Sequence, residues 1–148
     1  MSYFRRLRHQ LEQSEGRKLS DWDISYALRI QPNTVRRLMH ATRQEVRPSY
    51  LVAMLYLIKH SIDYVEALEH VGNEEMDALI SRIEELGMGC SRIAFYLGIG
   101  SRQLRNLRGY SQTVPFCHYL AARYLLEHIE PQGPLETIEQ HAELWAAA

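Results

Sequence analysis

Fifteen of the 17 basic side chains in this 148-residue chain are arginine. Arginine carries five N–H donors in a flat, rigid fork, which suits it to paired hydrogen bonds with guanine edges and with phosphates. These arginines are grouped. Residues 1–58 hold nine Arg and one Lys against five acids, and residues 86–126 hold five Arg and no acid. Between them, residues 59–85 carry one Lys and one Arg against eight acids, and residues 127–148 carry five acids and no Arg or Lys. The formal net charge of −1 therefore conceals two basic blocks of +5 each. Local field, not net charge, decides where a polyanion docks. The acidic segment 63–85 is expected to face away from such a partner.

Other chemistry finds little support. No two of the seven histidines, His9, His40, His60, His70, His118, His128 and His141, stand at the i, i+4 spacing of a helical metal pair. Cys117 and His118 are adjacent, a poor chelating arrangement on one helix, and Cys90 and Cys117 match no metal spacing. No nucleophile elbow, Walker loop or dinucleotide glycine pattern is present. Glu74-Glu75 and Glu84-Glu85 read as a solvated helix face rather than as nuclease carboxylates. The expectation is a protein that is no enzyme and uses no metal or cofactor. No apolar run of transmembrane length and no apolar leader region is visible, so a cytoplasmic protein with free thiols is expected.

The elements that would position the arginines begin at Leu19–Arg43, LSDWDISYALRIQPNTVRRLMHATR. Ser20 suits an N-cap, with Asp21 and Asp23 in the first turn where the helix dipole favours acids. A turn is expected near Arg29-Ile30-Gln31, and Pro32 fits the first position of a second helix. Ile24, Leu28, Val35 and Leu38 are spaced to bury the two helices against each other. Arg29, Asn33, Arg36, Arg37, His40 and Arg43 are left to point outward. Two crossed helices with a cationic outer one are what a helix-turn-helix needs to enter a major groove.

This stretch resembles the helix-turn-helix of the Cro and phage-repressor family, through Leu19-Ser20, Ile24, Leu28, Ile30, Thr34, Val35, Arg37 and Leu38. It departs from the pattern at Ser25, where the family usually has Ala, and at Arg29, where the family has a turn Gly. The resemblance implies that Pro32, Asn33, Arg36 and Arg37 face base edges. It implies that Ser20, Thr34, Arg43 and Arg47 contact phosphates.

The pattern recurs at a shift of 69 residues. Ile24, Leu28, Ile30, Arg36 and Leu38 align with Ile93, Leu97, Ile99, Arg105 and Leu107. Tyr50, Leu51, Ala53 and Leu57 align with Tyr119, Leu120, Ala122 and Leu126 without a gap. An internal duplication is expected. The second copy supplies Ala94 and Gly98, the two family residues that the first lacks. Its matching reading positions are Ser101, Arg102, Arg105 and Asn106, with Gln103 and Arg108 nearby. A solvated charged face on an ordinary helix pair is the plain alternative.

Elsewhere, residues 2–16 read as an amphipathic helix on Phe4, Leu7 and Leu11, ended by Gly16. A strongly apolar helix starts at Pro48 or Ser49, and another is expected over 62–71, stopped by Gly72-Asn73. The expected organisation is an all-α helical bundle with a first helix-turn-helix unit at 1–72, a second at 73–130 and a short acidic helical tail at 131–148. The function implied is that of a sequence-specific double-stranded-DNA-binding transcription regulator of bacterial, phage or plasmid type. It would act as a homodimer or as a single-chain pseudo-dimer, with RNA polymerase or another protein as a further partner and no membrane. The rival is a helical protein-interaction module, antitoxin-like or a phage adaptor, on the same scaffold.

Overall fold

The computed structural model describes residues 2–42, 46–110 and 113–129 of the chain. Over these residues the protein is all-helical, with no strand. Among them no helix is long and apolar enough to cross a membrane. The expected tail helix at 131–148 lies outside the described residues.

Local chemistry sets most helix ends. Helix α1, Tyr3–Glu15, is capped by the Ser2 hydroxyl, which accepts from the Arg5 N–H, and ends at Gly16 in the left-handed region, φ 73°. Helix α2, Asp21–Leu28, starts with a reciprocal cap: Ser20 Oγ accepts from Asp23 N–H at 3.1 Å while Asp23 Oδ2 accepts from Ser20 N–H at 2.9 Å. Helix α3, Pro32–His40, opens on its proline, and α4, Pro48–His60, does the same. Every residue from Leu51 to Leu57 in α4 is buried, as a helix at the centre of a core requires.

Helix α5 covers only Ile62–Glu66, five residues short of the expected end. Just past its end, the carbonyl of Leu68 accepts a hydrogen bond from the Arg29 guanidinium. Helix α6, Asn73–Glu85, and α7, Cys90–Leu97, follow. Helix α8, Ser101–Arg105, passes into a π-helical turn at Asn106–Tyr110. There the Asn73 amide donates to the carbonyls of Asn106 at 3.3 Å and Leu107 at 2.7 Å. A side chain inserted into the backbone ladder is a recognised cause of such a break. Helix α9 is Phe116–Ile129.

The bounds of α6, α7, α8 with its π turn, and α9 lie within one residue of those of α1, α2, α3 and α4 shifted by 69. The two units do not have separate cores. Helices α4 and α9 pack on each other at the centre, with α1 against α4 and α6 against α9, and one apolar cluster runs through both.

A polar network pins the α4–α9 contact. Arg123 Nε donates to the hydroxyl of fully buried Tyr56 at 2.7 Å, and its Nη1 donates to the Tyr119 hydroxyl at 2.8 Å. The Tyr56 hydroxyl donates to Glu127 at 3.2 Å, and the other Glu127 oxygen takes His60 Nε2 at 2.6 Å and Lys59 Nζ at 3.0 Å. Buried polar groups joined in this way fix one arrangement, because a shifted one would leave them unpaired.

Candidate nucleic-acid interface

The α2–α3 pair is built as the sequence suggests. Ile24, Leu28, Val35 and Leu38 are all 2% exposed or less, so α3 is held by its apolar stripe. Its last carbonyls are closed from α1: Met39 O accepts from Ser2 Oγ at 3.0 Å and from Arg5 Nε at 3.3 Å. A cation at a helix C-terminus is electrostatically favourable.

This packing leaves Asn33, Arg36, Arg37 and His40 exposed on α3, with Pro32 and Thr34 half-buried at its start. The Arg36 side chain is 69% exposed and its Nε lies 3.9 Å from Asp21, a loose ion pair in water. Asp21 is engaged more closely by Arg8, at 2.7 Å. On the second pair, Leu104 and Leu107 are buried while Ser101, Arg102, Arg105 and Asn106 are exposed and Gln103 is half-buried. Each second helix therefore turns two arginines and an asparagine to solvent from a firmly seated backbone.

Two of the expected contact residues, Ser20 and Arg108, are placed differently. Ser20 has its hydroxyl oxygen committed to the α2 cap, and its N–H holds the Asp23 carboxyl below the usual carboxylate range. Arg108 does not join the open face of α8. Its guanidinium turns back onto α6, with Nε 2.6 Å from Asp77, Nη1 2.7 Å from Glu84 and Nη2 2.9 Å from Ser81. Asp77 and Glu84 of α6 are thus partners of Arg108. Arg47 is exposed at the head of α4, beside the heads of α9 and the α2–α3 turn. Arg43 lies outside the described residues.

Two features escaped the sequence reading. Trp22 and Tyr26 are more than 70% exposed and flank a hollow of about 660 Å³ with Pro32 and Glu66. Their i, i+4 spacing opposite the buried Ile24 and Leu28 was the available signal. Phe95, on the corresponding face of α7, is also exposed. The other is His118, buried in the first turn of α9, where nothing in an otherwise apolar helix marks it. The histidines and cysteines make no cluster of three metal-ligating groups among the described residues.

Compared with protein-family models, with curated proteins and with solved structures, the chain matches none.

Proposed function

We propose that the protein binds double-stranded DNA in a sequence-specific manner and regulates transcription, using α3 and α8 as two major-groove reading helices of the Cro-like helix-turn-helix kind. One observation carries this reading: on both helices the buried stripe leaves Arg and Asn side chains exposed together, as Asn33, Arg36 and Arg37 and as Arg102, Arg105 and Asn106. Arg pairs with guanine O6 and N7, and Asn with adenine N6 and N7.

The contacts between units support a pseudo-dimer within one chain. The first turn meets the head of α9, where Cys117 Sγ donates to Leu28 O at 3.7 Å. The second turn meets the head of α4, with Gly98 against Pro48. Residues 48 and 117, like 29 and 98, differ by 69, so the contact is reciprocal in the manner of an isologous dimer interface. In the proposed reading a duplicated gene supplies from one chain the two reading heads that a homodimer supplies from two.

The exposed Trp22, Tyr26 and Phe95 favour a second reading, a protein-interaction module, because solvent-facing aromatics are the usual anchors of protein interfaces.

Selection from a random duplex library separates the two. An enriched bipartite motif, bound with log affinity falling steeply against log salt, is the outcome expected. Its half-sites would lie about 34 Å or a multiple apart if both helices follow one face of the duplex. Absence of enrichment, with only weak low-salt binding, transfers the conclusion to the interaction module.

A further inference from the structure

The first turns of α4 and α9 open onto one small cavity, of about 150 Å³, roofed by the α2–α3 turn. Helices of 13 and 14 residues each bring the positive end of a dipole to that point. Arg29 and Arg47 also line it, and none of the lining residues is an acid. The Arg29 guanidinium stacks at 3.7 Å on the Phe116 ring and donates one N–H to Leu68 O, which leaves further donors of its five. Arg47 is the N-cap residue of α4, and its side chain makes no capping bond.

Against this positive wall lies His118, only 3% exposed. Its Nδ1 is the buried side-chain polar atom that lacks a hydrogen-bond partner among the described residues. An orphaned buried polar atom of this kind is destabilising and calls for an explanation. Cys117, next to it, is fully occupied with Leu28 O.

We propose that this cavity is a binding site for a small free oxyanion of the phosphate or phosphomonoester class, held by Arg29, Arg47 and the Nδ1–H of His118 between the two helix heads. An oxyanion satisfies each irregularity at once. It accepts from the orphaned imidazole, meets two arginines in a cavity that no acid lines, and sits where two helix dipoles converge. The volume fits: at ~30 Å³ per water, the space admits one tetrahedral oxyanion with a water or two. Burial of the imidazole, together with the Arg47 charge, pushes its pKa down to about 4, and an anion would oppose the second of these causes. His118 is only 3% exposed, which favours a small freely diffusing ligand over a phosphate carried on a duplex backbone. The proposal does not depend on DNA reading, since Asn33, Arg36, Arg102 and Arg105 take no part.

The test is titration of the full chain with sodium phosphate, with no DNA present, against sodium chloride at matched ionic strength. Binding is read by calorimetry and by the side-chain ¹H–¹⁵N signals of His118. A saturable single site with a shifted His118 signal, absent in chloride, is the expected result. Arg47→Gln, at an exposed position, and His118→Gln should each weaken it about tenfold or more, the scale of a lost charge-assisted hydrogen bond, while circular dichroism stays unchanged. No saturation beyond the chloride control overturns the proposal, and so does binding that both variants retain. A His118 signal that moves only on adding a short duplex also overturns it, reassigning the cavity to a backbone phosphate. Phosphate binding retained in Arg36→Ala and Arg105→Ala, which are expected to lose DNA, keeps the two conclusions separable.

Discussion

The two turns that join the helix pairs reach the same backbone conformation by different means. Arg29 and Gly98 both sit in the left-handed region, at φ 57° and φ 70°. At Gly98 the reason is steric twice over: the conformation disfavours a Cβ, and a Cβ built there would lie 2.3 Å from Pro48 Cδ. At Arg29 the neighbouring helix head carries Cys117 instead of a proline ring, so the larger residue is accommodated. Its side chain offsets the backbone strain by stacking on Phe116 and bonding Leu68 O. A turn glycine is therefore a requirement of the partner it meets, and where that partner shrinks the position is open to a residue with a further task.

The comparison can be broken most forcefully at Gly98. Gly98→Ala should cost about 2–5 kcal/mol in denaturant unfolding, from left-handed strain of ~1–2 and overpacking of ~1–3 kcal/mol. Pro48→Ala in the same chain should restore the overpacking part. Equal loss with and without the proline change would mean that the helix head is not what excludes a side chain.

The next largest effect sits at the paired helix heads, where His118 on α9 stands 69 residues from Ser49 on α4. A histidine held neutral in the fold, at about 4 against 6.5 for an ordinary one, binds its proton more readily when unfolded. Its contribution is therefore intact above about pH 6.5 and is lost as pH falls towards about 4, by about 3 kcal/mol in all. His118→Ser, which makes the two heads alike, should flatten that part of the stability–pH curve; an unchanged slope would place the titration elsewhere.

At the proposed reading helices, Arg36→Ala and Arg105→Ala should each weaken the proposed DNA binding by roughly 1–3 kcal/mol, measured by competition at fixed salt. Equal losses indicate that both units read bases, and a loss at one alone makes them unequal. The smallest change is expected from Arg29→Gly, which makes the first turn like the second. Relief of ~1 kcal/mol of backbone strain opposes the loss of a stacking contact of similar size, so the melting temperature should barely move. A large fall would show the Phe116 and Leu68 contacts to outweigh the strain.

Much of the helical layout follows from short-range chemistry and was readable as such. Ser20, Pro32, Pro48 and Gly16 act at helix ends within a few residues of themselves. The exposure of Asn33, Arg36, Arg102 and Arg105 follows from the period of their own helices. What could not be read depends on partners distant in sequence. Helix α5 ends before Leu68, whose carbonyl is taken by Arg29, 39 residues away. Helix α8 changes period because Asn73 enters its ladder, and Arg108 leaves the open face because Asp77 and Glu84 wait on α6. His118 acquires its significance only when two helix heads and a turn close around it. Sequence spacing gives no measure of such meetings.

The buried Arg123–Tyr56–Glu127 network has a consequence for how the protein can be divided. With α4 and α9 keyed together by this network, each half covers the other's apolar helix. Fragments cut in the stretch between α5 and α6 would each expose an apolar helix with unmatched polar groups on it. Such fragments should be insoluble apart yet reconstitute when mixed, in one register only, which makes the junction a natural site for a split reporter.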